Sequence, residues 1–158
     1  FYAPGNDPRR LLQREAAIAA EELFKRAQKE EIHLWGISGY RSYKRQEELF
    51  SSANGRSGVA PPGCSEHQTG LALDISCPDE NYELEESFAK TKEGCWLARH
   101  CALFGFILRY PKNKEEITGF PFEPWHIRYT GIGLASSLTL TGMTLEEYYE
   151  RGLHLPPK

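Results

Sequence analysis

The chain has 158 residues, 40% of them hydrophobic and 12% aromatic, a composition that supports one domain with a real core and excludes a disordered segment. Its 19 basic and 22 acidic residues give a net charge of −3, with the cations scattered rather than gathered in a patch, which argues against a nucleic-acid partner. No apolar run approaches the ~20 residues that a membrane-spanning helix needs. The first residue is Phe1, as in an excised mature domain, so any signal peptide or membrane anchor, and any membrane contact, is expected to belong to a segment outside this chain.

Asp7-Pro8 predicts a helix start, with Asp as N-cap and Pro in the first turn. Leu11, Leu12, Ala16, Ala19, Ala20, Leu23 and Phe24 follow at helical spacing and predict an amphipathic helix to about Glu31. Ile32 to Ile37 reads as a strand leading into Gly39-Tyr40-Arg41. A second helix is predicted from Tyr43 to Ser51 with Leu49 and Phe50 turned inward, then a loop over Ser52 to Gly63. Leu71, Leu73 and Ile75 alternate with Ala72, Asp74 and Ser76, the period of a half-buried strand whose polar face carries Asp74. His67 has the opposite parity, so a turn near Thr69-Gly70 must switch faces if His67 and Asp74 are to converge.

Thr91 to Leu103 reads as a helix closed by Gly105, followed by strands at Phe106 to Tyr110 and Trp125 to Tyr129 and short helices at Gly131 to Leu138 and Thr144 to Tyr149. Strands without βαβ spacing, with helices at both ends, predict one α+β domain over residues 1–158 with a small antiparallel sheet.

The chemistry concentrates in two segments, Ser65-Glu66-His67-Gln68-Thr69-Gly70-Leu71-Ala72-Leu73-Asp74 and Glu123-Pro124-Trp125-His126. Catalytic zinc takes three protein ligands and keeps an open position for water, whose pKa it lowers to roughly 7. His67, Asp74 and His126 meet that count, and Glu123 adds a carboxylate free to move protons. On a regular strand Glu123 falls on the wrong face, so Pro124 is expected to mark a bend that brings it beside His126. Taken singly, each residue has a plainer reading: a core histidine beside Trp125, a capping Asp, a surface ion pair between Arg41 and Glu47 or Glu48. Cys64, Cys77, Cys95 and Cys101 leave one rival, a structural zinc site of Cys64, His67 and Cys77, but the paired Cys knuckles of such sites are missing. Six residues separate Cys95 from Cys101, about 600° of helical rotation, so a bond between those two is disfavoured.

Ser-x-His-x₂-Gly-x-Ala-x-Asp followed by Glu-x-Trp-His resembles the signature of VanY-type zinc D-alanyl-D-alanine carboxypeptidases, in the wider family of VanX-type dipeptidases and peptidoglycan L,D-carboxypeptidases. Ser38-Gly39-Tyr40-Arg41-Ser42 with Gln46, Thr91 to Leu97, Gly105 to Pro111 and Ile117-Thr118-Gly119 are also similar to family segments, so the resemblance spans roughly Ser38 to Tyr149. It implies His67, Asp74 and His126 as zinc ligands, Glu123 as general base and acid, and Arg41 as the group that steadies the scissile carbonyl oxygen. Arg41 suits that task because a guanidinium is a fixed fork of donors that keeps its charge.

Ser65 and, more weakly, Gln46 are candidates for the substrate's terminal carboxylate, and Tyr40, Trp125 and Tyr129 for the pocket wall. His33, His100 and His154 match no family ligand and read as structural or exposed. The expectation is a bacterial, extracytoplasmic, monomeric enzyme that removes the terminal D-alanine from peptidoglycan stem peptides. The alternatives are an L,D-carboxypeptidase acting on the tetrapeptide stem, a dipeptidase, and a zinc-containing binding module without catalysis. Glu123 speaks against the last, since a pure binding module has no use for a proton shuttle.

Overall fold

The computed structural model describes residues 1–54 and 58–152. Four strands, β1 (Trp35–Ser38), β2 (Ala72–Ser76), β3 (Phe106–Tyr110) and β4 (Glu123–Tyr129), form an antiparallel sheet in the order β1-β2-β4-β3. Around it lie helices α1 (Arg14–Lys29), α2 (Tyr43–Ser52), α3 (Lys92–His100), α4 (Glu115–Thr118), α5 (Ile132–Thr141) and α6 (Leu145–Glu150). This is the predicted α+β arrangement.

One face of the sheet carries the main core. Leu73 and Ile75 of β2, Ile127 of β4 and Phe106 of β3 pack with Leu23 and Ala27 of α1 and Trp96 and Leu97 of α3. Ile107, on the other face of β3, packs with Ala135 and Leu138 of α5 and Leu145 and Tyr148 of α6. The alternate residues of the two central strands, Asp74 and His126, stand directly opposite each other on the face away from the main core.

Several expectations need correction. The first helix does not run unbroken from Asp7. Asp7 does cap a turn, accepting from the Arg9 amide, but that turn is a 3₁₀ segment, Pro8–Arg10, and α1 begins only at Arg14. Residues 11–13 are drawn off by tertiary bonds: the Gln13 amide donates to Gly70 O at 2.8 Å, and Leu11 O accepts from the Tyr40 amide at 2.8 Å. Leu11 is 59% exposed instead of joining the core.

Strand β2 is buried along its whole length, not half-buried, because its polar face is also covered: Ser76 Oγ donates to Glu83 O at 2.6 Å and Asp74 lies under the site. Phe50 points outward at 41% exposure, while Gln46 is the buried residue of α2. The helix after Thr91 tightens into a 3₁₀ turn at Cys101–Phe104 before Gly105. Of the Ser52 to Gly63 loop, residues 55–57 lie outside the described residues, as does His154.

Two register shifts shape the site. Gly36 pairs with Ile75 but Ser38 pairs with Asp74, so β1 bulges at Ile37 and presents Ser38 to the site. Leu108 pairs with Ile127 but Tyr110 pairs with Glu123, so β4 bulges between Glu123 and Ile127. That bulge contains Pro124, which has no amide to give to the ladder. It is the expected bend, though Glu123 remains within the strand.

Candidate active site

His67 rides on a 3₁₀ turn, Glu66–Thr69, closed by Gly70 in the left-handed region at φ +68°. A side chain at Gly70 would be strained by that φ and would press on Gln13 N at 3.1 Å. This is the predicted face switch. Backbone bonds fasten the turn: the Arg41 amide donates to His67 O at 3.1 Å, and Gln13 Nε2 donates to Thr69 O at 2.8 Å. The imidazole Nδ1 lies 2.6 Å from Gly39 O. A carbonyl can only accept, so Nδ1 carries a proton and Nε2 turns toward Asp74 Oδ2, 3.2 Å away.

Opposite it, His126 Nδ1 lies 3.1 Å from Asp74 Oδ1 and 3.7 Å from Glu123 Oε2. The two imidazole rings stand 5.0 Å apart at 85°, and His67, Asp74 and His126 are 3%, 3% and 5% exposed. Each offers one ligand atom, all within 4.8 Å of one another.

Charge explains what this cluster favours. Burial would push the Asp74 carboxyl up, but the charge of His67 and the closeness of His126 hold it far below the usual range. Burial also opposes the His126 imidazolium, yet the nearby carboxylates of Asp74 and Glu66 outweigh this and lift it to about 9. Carboxylates that favour a proton there favour a metal cation for the same reason.

The donor set fits zinc, and the site has an orphaned buried atom. Asp74 Oδ1, although close to His126 Nδ1, lacks an aligned hydrogen bond, and it is the buried acceptor that a cation held by Nδ1 would satisfy. Burial, with the negative charge of Asp74, pushes the Glu123 carboxyl up to about 7, against the pull of His126. A carboxyl with that balance can both take and return a proton near neutrality.

A cleft of about 440 Å³ opens over these groups. Arg41, Gln46, Ser65, Glu123 and Trp125 line it, while Tyr40 and Tyr129 are not part of its wall. Tyr129 packs on Phe106 instead, with ring centroids 5.3 Å apart. Arg41 Nη1 donates to Gln46 Oε1 at 2.9 Å, and its Nη2 lies 3.4 Å from Ser38 Oγ and 3.8 Å from Asp74 Oδ2. Gln46 in turn donates to Ala60 O at 2.7 Å. Its amide therefore aims Arg41, which limits what it can offer a ligand.

The rival cysteine site does not assemble. Cys77 is buried in the main core, Cys64 is exposed, and among the described residues the metal-capable group is His67, Asp74 and His126. All four cysteines are unpaired. His33 is exposed, and His100 stacks on Trp96 at 4.4 Å.

Sequence reasoning missed Glu66, Leu84, Tyr110 and Phe120, which also line the cleft. Tyr110 stacks on Phe120 at 4.6 Å and lies 5.0 Å from the His126 ring. The one available signal was parity: Arg128 shares the face of His126, and a partly buried arginine there calls for a carboxylate such as Glu66.

The comparisons with known proteins agree with this geometry. The family model for VanY, D-alanyl-D-alanine carboxypeptidase, matches residues 9–132. YodJ of Bacillus subtilis strain 168, named as a carboxypeptidase, is 45% identical over 150 residues, 90% of this chain and 55% of its own length. The chain thus spans about half of that relative. The LdcB LD-carboxypeptidase structure, solved for the basis of peptidoglycan recognition, is 43% identical with a TM-score of 0.90, over 95% of this chain and 73% of that one. A VanY D,D-pentapeptidase from a VanB-type vancomycin resistance cassette, solved with Zn(II), is 34% identical with a TM-score of 0.73, over 87% of this chain and 83% of that one. Motif, sheet order and family model coincide over the same residues, and the chain belongs to the VanY family of D-alanyl-D-alanine carboxypeptidases.

Proposed function

We propose that this protein is a zinc carboxypeptidase that removes the terminal D-alanine from peptidoglycan stem peptides, cutting D-Ala-D-Ala ends outside the bacterial cytoplasm. The observation that carries the reading is the buried His67, Asp74 and His126 cluster with Glu123 Oε2 3.7 Å from the His126 ring, at the floor of an open cleft. His67 and His126 would hold zinc with Asp74 between them. Bound there, zinc supplies Lewis acidity that makes water a nucleophile near neutral pH and polarises a carbonyl.

The chain's own groups do the rest. Glu123 takes the proton from the attacking water and returns it to the leaving amine of D-alanine. Arg41, aimed by Gln46 and Ser38, steadies the negative charge that develops on the scissile carbonyl oxygen. Ser65, 8% exposed in the cleft wall, donates to the free carboxylate of the substrate, with Gln46 a secondary partner. Trp125 and Phe120 supply apolar walls that exclude water. The protein is proposed to act as a monomer, with every group named drawn from one chain.

A second reading is favoured by one observation: the likeness to the LdcB LD-carboxypeptidase exceeds that to the VanY structure in both identity and TM-score. In that reading the bond cut joins an L-centre to the same terminal D-alanine. Incubation with pentapeptide and tetrapeptide stems in separate reactions decides between them. Release of D-alanine from the pentapeptide supports the first reading, release from the tetrapeptide alone the second. No release from either by the zinc-loaded protein contradicts both.

A further inference from the structure

Glu66 lies between Ser65 and His67, yet no step above uses it. Its Oε1 accepts from Arg109 Nε at 2.7 Å and lies 3.1 Å from Arg128 Nη1. Its Oε2 lies 3.5 Å from His126 Nε2, and both of these atoms are buried without a hydrogen-bond partner. Arg109 is itself fixed. Its Nη1 donates to Glu146 Oε2 at 3.0 Å, its Nη2 bonds Glu146 Oε1, and its guanidinium sits over the Tyr110 ring at 4.9 Å. A continuous train, partly exposed at Glu146 and buried at His126, runs from Glu146 through Arg109 and Glu66 to His126 and joins the first turn of α6 to the site.

A neutral imidazole has one N–H. If Nδ1 of His126, which faces Asp74, is to offer its lone pair to a metal there, the proton must sit on Nε2, and a buried N–H there needs an acceptor. Among the described residues, the carboxylate of Glu66 is the acceptor the geometry supplies. We propose that Glu66 is the positioning residue for His126: its Oε2 accepts from Nε2–H, fixes the tautomer and ring orientation, and so sets the affinity of the site for a divalent metal. This rests on the reading of His126 as a zinc ligand. Glu66 is not a fourth ligand, because its carboxylate lies across the imidazole from Asp74: His126 presents Nδ1 to Asp74 and Nε2 to Glu66.

The opposed view is that Glu66 only neutralises Arg109 and Arg128. The variant Glu66→Gln separates the two. Both arginines are donors, so they oblige the Gln oxygen to face them and turn its NH₂ toward His126. A donor then meets Nε2–H, the proton is driven to Nδ1, and the lone pair needed for the metal is lost.

The experiment measures the zinc dissociation constant by chelator competition, the visible spectrum of the Co²⁺-loaded protein, and thermal unfolding after chelation. For Glu66→Gln, zinc binding should weaken by about 10–100-fold and the Co²⁺ bands should shift. Glu146→Gln removes ion pairing from Arg109 but leaves Glu66 facing His126, so its zinc affinity should stay within about 2-fold of the original.

Glu66→Asp keeps the charge between the arginines but withdraws it from His126. It should also bind zinc more weakly, which keeps the test open if the Gln variant does not fold. Zinc affinity unchanged in either Glu66 variant, or equally weakened in Glu146→Gln, would overturn the proposal. An original protein that takes up no zinc would overturn instead the ligand assignment beneath it.

Discussion

The two histidines that flank Asp74 are held by different means. His67 is fixed by backbone: Gly39 O meets its Nδ1, its own carbonyl takes the Arg41 amide, and Gly70 closes its turn against Gln13. His126 is fixed by side-chain charge: Glu66 beyond its ring, two arginines beyond Glu66, and Glu146 on α6 beyond those. A backbone arm fails by steric strain, which the whole fold feels. A charged arm fails electrostatically, and the loss of its inner carboxylate, Glu66, is felt first at the metal. The same local task therefore leaves two different mutational signatures.

The largest effect should come from the group both arms share. Asp74→Asn keeps shape but removes the anion between the histidines, so zinc affinity and D-alanine release should fall together, by more than the about 10–100-fold cost of losing an outer partner. Metal analysis of the purified variant checks this. Retained zinc would show that the arms do not meet at Asp74.

Arg41, tied to the His67 arm through its amide, should split kinetically from Ser65. Arg41→Ala should lower kcat by about 10²–10³, the usual loss for an oxyanion donor, whereas Ser65→Ala should mainly raise KM. Steady-state kinetics on one stem peptide decides this, and equal small changes in both would make them scaffold.

Gly39→Ala sharpens the contrast between the arms. A Cβ there would sit 2.5 Å from Leu11 O and 2.9 Å from Arg9 O, both backbone atoms. The cost of such overpacking is about 1–3 kcal/mol, which at this chain size lowers Tm by roughly 2–12 °C. Zinc affinity should weaken with it as Gly39 O is displaced. The chelated Glu146→Gln protein should lose less, and a Gly39→Ala protein with unchanged Tm would break the distinction.

The smallest effect is the pH dependence of the charged arm. Burial tends to raise the Glu146 carboxyl, but the hydrogen bond and charge of Arg109 hold it below the ordinary value. A depressed folded-state pKa gives stability that is present above the unfolded value and is lost as pH falls through the folded one. Tm should therefore decline on acidification below about pH 4.5, and by less in Glu146→Gln. Parallel Tm profiles for the two proteins would remove Glu146 from the account.

These same arms explain what could be read from sequence. Gly70 and Pro124 announced their turns because each restricts or frees the backbone in a way composition reveals, and strand parity placed His126 with Arg128. Leu11 to Gln13 looked helical because periodicity cannot show that Tyr40 and Gly70 compete for their backbone groups. Phe50 looked inward for a similar reason: α2 buries Gln46, a polar residue committed to Arg41 and Ala60. Glu66 stayed hidden because it lies in a turn and its partner Arg109 is 43 residues away on β3. Local chemistry was legible, and long-range charge pairing was not.

The most direct test of the central claim is Glu123→Gln, with zinc content and turnover measured on one sample. Gln keeps the size of Glu123 but cannot accept a proton, so the variant should hold zinc like the original protein while D-alanine release falls by about 10²–10⁴. A variant that loses its zinc, or that releases D-alanine at the original rate, would contradict the assignment of Glu123 as the proton carrier beside a His67, Asp74 and His126 metal site.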